Sequence, residues 1–367
     1  MAPGAEADVA IIGGGIVGLS VAWGLLNRGH RVVVLDGSDG SFRASRGNFG
    51  LVWVQGKGAS APAYARWTRA SAAAWPGFAE DLRAATGIDP GLRRNGGLDL
   101  HFTEDSLART VARYRGLAEA LGGDDFEILG NNALRELEPE IGPAVAGGIL
   151  HRKDGHANPM RLLRALAQGV RQRGAQVLVD RQVVAVERRD TFRLRCADGG
   201  IVAAQRVVLA AGLGAATLGP VLGFRAPIRP QRGQVLITER LPKLLNYPSV
   251  IARQVDEGGI QIGATEEEVG TDDGTTPEAI ARMAADAVRA YPALARVRLV
   301  RSWGALRILT PDGLPIYAES PDMPGAYMVT CHSGITLAAA HARLLPAWLD
   351  RAADAPDLEA FRDSRFP

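Results

Sequence analysis

Val9-Ala10-Ile11-Ile12-Gly13-Gly14-Gly15-Ile16-Val17-Gly18 runs an apolar strand straight into a glycine-rich turn. A helical stretch, Leu19 to Arg28, comes next, and then a second apolar strand, Arg31-Val32-Val33-Val34-Leu35, that ends on Asp36. Gly13 permits the tight turn, Gly15 lets the backbone approach a pyrophosphate, and Gly18 lets the helix pack close to the strand. The helix N-terminus offers free N–H groups and the positive end of its dipole to phosphates. Asp36 follows the glycines by roughly twenty residues, where a carboxylate accepts hydrogen bonds from a ribose diol. An acid there repels a 2′-phosphate, so the pattern predicts FAD or NAD and not NADP. Glycine triplets alone arise by chance. Strand, helix, second strand and terminal acid in one register predict a dinucleotide-binding unit.

The rest of the composition suits a soluble enzyme. At 367 residues, 47% of them hydrophobic, the chain can build about two domains. Its 42 basic and 40 acidic residues nearly cancel, which argues against a nucleic-acid partner. The arginine pairs Arg93-Arg94 and Arg188-Arg189 are scattered and read as solvated. Two cysteines, Cys196 and Cys331, exclude a disulfide framework and a four-cysteine iron–sulfur or zinc site, and no metal is expected. The opening Met1-Ala2-Pro3-Gly4-Ala5-Glu6 lacks the basic and apolar regions of a signal peptide, so a cytoplasmic location is expected. Val207 to Phe224 carries no charge, but its glycines and Pro220 read as strand, turn and short helix, not a membrane span.

Further along, helical and strand patterns alternate. Leu107 to Leu121 reads as a helix after the strand Gly97 to Phe102, and Asn158 caps a helix opened by Pro159. Strands follow at Gln176–Val179, Val183–Glu187, Thr191–Cys196 and Ile201–Val208, then at Gly233–Thr238, Ser249–Arg253 and Gly259–Gly263. Thr276-Pro277-Glu278 starts a capped helix with Ile280, Met283, Ala287 and Val288 on its apolar face.

Several segments together resemble the FAD-dependent amine and D-amino-acid oxidoreductases, a family that includes glycine oxidase, sarcosine oxidase and D-amino-acid dehydrogenases. Ser45-Arg46-Gly47-Asn48-Phe49-Gly50 is similar to the loop along the flavin ring, and Asp154-Gly155-His156-Ala157-Asn158-Pro159 to the “DG…(D/N)P” segment. Val183 matches the position whose backbone meets adenine. Val208-Leu209-Ala210-Ala211-Gly212 resembles the “ATG” turn, with Leu213 where many relatives have an aromatic residue. Arg232-Gly233-Gln234 matches the strand entering the substrate domain. Cys331-His332-Ser333-Gly334-Ile335-Thr336-Leu337-Ala338 resembles a helix start that closes over the flavin, and looks most similar to the flavin-bearing subunits of opine oxidases and D-hydroxyproline dehydrogenases.

The resemblance implies an α/β glutathione-reductase-type fold. A Rossmann-like FAD-binding domain would be built from residues 1–85, 145–220 and 305–367, with a β-sheet-rich substrate domain from 86–144 and 221–304. It places FAD against Gly13, Gly15, Ile16, Val17, Gly18, Asp36, Gly37, Ser45, Arg46, Asn48, Phe49, Gly50, Val183, Ala211, Gly212, Arg307, Ser333, Gly334, Ile335, Thr336 and Leu337. Ala305 stands where sarcosine oxidase-like members attach the flavin through cysteine, so the FAD is expected to be non-covalent. Relatives of the opine-oxidase type work with a larger partner carrying a further redox cofactor. Electrons would then leave through a partner subunit or a soluble acceptor, making a dehydrogenase more natural than an oxidase.

Amine oxidation removes a hydride from the carbon beside nitrogen and delivers it to flavin N5. The nitrogen must be neutral, and the protein mainly positions the reactants. An amino-acid carboxylate calls for a bidentate arginine. Arg307 in Trp303-Gly304-Ala305-Leu306-Arg307 matches the carboxylate-binding arginine of glycine oxidase; its plainer reading is a strand-edge arginine in a salt bridge. A helix starting at Gly334 would stabilise negative charge at flavin N1 and O2. His332 either touches substrate or flavin and titrates near neutrality, or satisfies a turn carbonyl. Cys331 reads as packing, Asp312 as a turn residue or a neighbour of the flavin, and Glu266-Glu267-Glu268 with Asp272-Asp273 as a solvated acidic loop. His101, Trp53 and Tyr64 are open between core and pocket. Two other activities stand beside oxidation of a D-amino acid, hydroxyproline or an opine: an NAD-dependent dehydrogenase, and a flavin-bearing relay or assembly subunit without turnover of its own.

Overall fold

Ile11 lies opposite Val34 on one side and Val208 on the other, so the first strand, Ala7–Ile12, is central in a parallel sheet. The computed structural model describes residues 7–37, 43–123 and 126–367. Met1 to Glu6, the segment that bears on targeting, lies outside them. The sheet runs Ile316–Glu319, Ala326–Thr330, Ile201–Leu209, Ala7–Ile12, Val32–Leu35, Gln176–Leu178, all parallel except the first pair. Phe192–Cys196 and Val183–Arg188 extend it antiparallel from Ile201–Leu209. Its central strands are buried on both faces, which is why they read as unbroken Val/Ile/Leu runs.

Gly13 has φ +115°, and a Cβ on it would stand 2.3 Å from the Ala210 carbonyl oxygen. A Cβ on Gly18 would stand 2.0 Å from the Gly13 oxygen. These two contacts seat helix Ile16–Asn27 against the strand, as the glycine spacing predicts. That helix shares a core with Pro62–Thr86, Pro159–Gln172 and Ala338–Arg343, in which Trp23, Trp75, Phe78 and Leu166 are fully buried.

Four antiparallel strands, in the order Ala252–Gln254, Gly259–Gly263, Arg229–Arg240, Leu299–Leu309, form the second large sheet. A three-stranded sheet of Gly97–His101, Gly147–His151 and Phe126–Gly130 joins it around one core with Leu98, Leu236, Ile262, Met283 and Ala287. The nucleotide sheet draws on stretches 7–35, 176–209 and 316–330, the interleaving that a discontinuous domain requires. Gly147–His151, inside the stretch 145–220 given to the FAD-binding domain, pairs with Gly97–His101 of the other, and Leu299–Leu309 runs across the 304/305 boundary.

Local differences have local causes. The strand expected from Ser249 begins at Ala252, because the Ser249 hydroxyl accepts from the Ile251 and Ala252 N–H groups in a turn. Asn158 caps its helix as expected, accepting from Met160 and Arg161. Thr276 does not, since its hydroxyl accepts from Gln234 Nε2. The long helix Pro62–Thr86 escaped the sequence reading, although proline opens it and Gly87, at φ 72°, closes it. Among the described residues no helix is long and apolar enough to cross a membrane.

Candidate active site

A cavity of about 650 Å³ opens off the carboxyl ends of the parallel strands, where open α/β sheets bind their ligands. Ile12 runs into Gly13, Leu35 into Asp36, Ala210 into Ala211 and Thr330 into Cys331, and all eight line it. Gly15, Ile16, Val17, Gly37, Ser45, Asn48, Val183, Gly212, His332, Gly334 and Ile335 complete the predicted residues found on its walls. Gly18 faces the strand instead, as its packing role demands. Arg46 is exposed outside the cavity, Gly50 is wedged against the Ala157 carbonyl and the Arg253 guanidinium, and Leu337 is fully buried in the core. Those three line neither this cavity nor the one beside it.

The walls suit a dinucleotide. The backbone at Gly15 borders the cavity, and a Cβ there would meet only Ser45 Oγ, at 3.0 Å. Ser45 Oγ accepts from the Ile16 N–H at 3.0 Å, so one helix N–H counted as free from sequence already has a partner. The Asp36 carboxylate pairs with Arg43 at 2.5 Å and packs against Gly14. It lines the cavity where a ribose diol would be read.

A second cavity, about 590 Å³, shares Ala44, Asn48, Leu306, His332 and Ile335 with the first and reaches the antiparallel sheet. Phe49, Arg307, Ser333 and Thr336 line this one. Arg307 stands on Leu299–Leu309, the edge strand, directly across from Gln231. Its Nη1 donates to Gln231 Oε1 at 3.4 Å and to the Arg232 carbonyl at 3.3 Å. No carboxylate pairs with it among the described residues, which removes the salt-bridge alternative. Burial pulls the guanidinium below its ordinary pKa, with Glu266 and Glu267 opposing.

His332 borders both cavities, so its ring is accessible although protein surrounds it. Burial, reinforced by Lys57 and Arg307, pushes its pKa down to about 3. It therefore stays neutral and does not titrate near neutrality as expected. The helix after it also starts later than the sequence suggested: 334–337 is a turn, and Ala338–Arg343 is only six residues long. The Leu337 N–H donates to the Ser333 carbonyl at 2.9 Å, and Gly334 and Ile335 of this turn line the cavity. Cys331 borders the first cavity, but burial pushes its thiol up to about 12, leaving it protonated and a poor nucleophile.

Lys57 is the site residue that sequence reading missed. It donates to Ser333 Oγ at 2.6 Å, and Tyr64 OH donates to the same oxygen at 3.0 Å. Its loop is held by fully buried Asp154, whose Oδ1 accepts from the Val54 N–H at 2.5 Å. Thr336 Oγ1 accepts from the Trp53 N–H at 3.2 Å and ties the same loop to 331–337. Trp53 lines the substrate-side cavity, while Tyr64 sits in the core against Phe361. His101 is buried beside Ser106, and Asp312 pairs with Arg365; neither borders a cavity. The acidic run is a loop with Glu266, Glu268 and Asp272 exposed, as expected, and it is tethered to the neighbouring strand Arg229–Arg240. Glu267 and Asp272 clamp the buried Arg232, Glu268 pairs with Arg229, Glu266 lines the second cavity and Asp273 the first. Such tethers from a loop to a distant strand are invisible in a string of acids.

A family model described as FAD dependent oxidoreductase matches residues 8–348. An opine oxidase subunit from Agrobacterium tumefaciens (strain Ach5) is 40% identical over 363 residues, covering 98% of this chain and 98% of that one. Hydrogen cyanide synthase subunit HcnC of Pseudomonas aeruginosa is 30% identical over 98% of this chain and 96% of its own. The crystal structure of glycine oxidase from Geobacillus kaustophilus superposes with a TM-score of 0.91 at 28% identity, covering 99% of both chains.

Proposed function

Because the chain belongs to the family of FAD-dependent oxidoreductases, we propose that it dehydrogenates a small amine or imino acid: a D-amino acid, hydroxyproline or an opine. Membership makes it an FAD enzyme and sets aside the NAD-dependent alternative. One observation carries the choice of substrate. Arg307 presents a guanidinium without a carboxylate partner to a cavity that continues, past His332, into the dinucleotide cavity.

FAD supplies the acceptor for the hydride removed from the carbon beside nitrogen. Gly13, Gly15 and Val17 would border its pyrophosphate, Asp36 its ribose and Val183 its adenine, without a covalent bond, since Ala305 offers no sulfur. Arg307 binds the substrate carboxylate and fixes the direction of approach. Neutral His332 can accept or donate one hydrogen bond at the junction without adding charge. Phe49, Trp53, Val250, Ile251 and Met283 exclude water from the substrate side. The two relatives that are themselves subunits of larger enzymes support a partner chain that takes the electrons onward.

The test is an anaerobic absorbance spectrum of the FAD-loaded protein with D-proline, cis-4-hydroxy-D-proline, glycine, sarcosine and octopine added in turn. Bleaching of the flavin band by one of them is expected, and air admitted afterwards separates oxidase from dehydrogenase. Retained flavin that no amine bleaches, even with the partner chain present, would leave only the relay role.

A further inference from the structure

Arg253, on the strand Ala252–Gln254, is 1% exposed, and no carboxylate pairs with it among the described residues. The acids that act on it from a distance, Asp256 and Glu257, are held by Arg93 and Arg161 instead. Its Nη1 donates to His156 Nδ1 at 2.9 Å and its Nε to the Phe49 carbonyl. Both acceptors are neutral: burial, with the charges of Arg253, Lys243 and Arg93, pushes the His156 pKa down to about 3. Burial likewise pulls Arg253 down to about 9, so it keeps its charge at neutral pH. An unpaired buried charge is costly in a fold, and an apolar side chain of the same length would avoid that cost.

The charge is held against the loop that borders both cavities. The guanidinium carbon lies 5.7 Å from the centroid of the Phe49 ring, and Phe49 lines the substrate-side cavity. Asn48, one residue earlier, lines both cavities, and its Oδ1 accepts from the Gly50 N–H at 2.8 Å. A Cβ on Gly50, which has φ +97°, would stand 2.6 Å from Arg253 Nη2, so guanidinium and backbone leave no gap. Leu51 and Val52 continue the segment and pair with His156 and Gly155. Arg253 itself borders neither cavity. It stands one residue behind the wall and out of water, where a charge is weakly screened.

We propose that Arg253 is a positioning residue for bound FAD: it fixes Phe49 and Gly50 beside the cavities, and its unpaired charge raises the flavin midpoint potential. A hydride carries two electrons and one proton, so its delivery leaves the cofactor one negative charge richer. A fixed cation already in place favours that reduced form without reorganising. Fixing the loop serves the oxidised and reduced forms alike; only the charge tells them apart. The inference rests on FAD binding and not on the choice of amine.

The midpoint potential is measured without substrate, by equilibrating the FAD-loaded protein anaerobically with a reference dye. Arg253→Met should lower the ratio of reduced to oxidised FAD about tenfold, a fall of about 30 mV for a two-electron couple. His156→Glu leaves Arg253 in place but gives it a counter-ion, and should lower the ratio in the same direction. His156→Gln keeps an uncharged acceptor for Nη1 and should stay within about twofold of the parent. Melting temperature and the visible spectrum show whether each variant is folded and loaded. Where Arg253→Met does not load FAD, the pair at position 156 decides. A methionine variant within about twofold of the parent, glutamate and glutamine variants that behave alike, or loss of FAD by all three would overturn the role of the charge. Anaerobic reduction by amines is scored separately. Potentials that shift as expected in a protein that no amine reduces keep this inference and lose the amine reading. Reduction by an amine with unmoved potentials does the reverse.

Discussion

Replacing Gly233 by alanine moves Arg307 without touching it. Gly233 faces Ala305 across the antiparallel pair, two residues from Arg307, and the guanidinium lies over the glycine. A Cβ at Gly233 would stand 2.6 Å from Nη2, 2.7 Å from Cζ and 2.9 Å from Nη1. Carbon contacts settle near ~3.5–4.0 Å, so the guanidinium must retreat by about 1 Å. Its bonds to Gln231 and Arg232, at 3.4 and 3.3 Å, are too long to resist. A displacement of about 1 Å in a positioning group costs up to ~10²-fold, or about 2.7 kcal/mol. Arg307→Met sets the ceiling, since it removes a charge-assisted bond outright, worth about 1.5–3 kcal/mol. The backbone at Gly233 is not left-handed, and alanine in place of glycine inside a strand recovers about 0.5–1 kcal/mol. The melting temperature should therefore hold or rise while substrate KM rises and FAD stays bound. The assay is steady-state kinetics with an artificial electron acceptor beside a thermal melt. A Gly233→Ala protein with KM within about twofold of the parent and an unchanged melt would refute the placement of Arg307.

Tyr317 accepts from Trp67 Nε1 at 2.9 Å and donates to His341 Nε2 at 2.8 Å, all fully buried or nearly so. Tyr317→Phe strands both partners and should cost about 2–4 kcal/mol in denaturant unfolding, whereas a loss under about 0.5 would show that they find other partners. Burial lifts the Asp154 carboxyl to about 6, above its unfolded value of 3.8. The folded state thus holds the proton more tightly, and stability falls as pH rises from about 4 through 6, by on the order of 3 kcal/mol. Asp154→Asn should remove that slope, and parallel pH curves for the two proteins would refute it. Cys331, with its thiol near 12, should resist thiol reagents at pH 8 until the protein is denatured. Acid precipitation should leave a yellow supernatant; a yellow pellet would mean a covalent flavin.

The nucleotide half was legible because its signals are local. Gly13, Gly18 and Asp36 act within one turn or one strand of each other, so spacing alone carries the geometry. The substrate side is assembled across the chain. Lys57 meets Ser333 from 276 residues away, on a loop fixed by Asp154 from 100 residues away, and no periodicity joins such positions. The tethers of the acidic loop were hidden for the same reason, since Arg229 and Arg232 lie on the strand Arg229–Arg240 and Glu267 and Glu268 on the loop after Gly263. The start of the helix at Ala338 is a detail of turn closure that composition does not encode.

His332 is a resident probe of the medium that the proposed reaction would meet. The burial and the cations that lower the His332 pKa also disfavour a proton on an amine placed beside it. An amine arriving protonated from water is thereby pressed toward its free-base form, the form whose lone pair supports an iminium. Deprotonation of the amine is thus favoured by where the proposed substrate would be put.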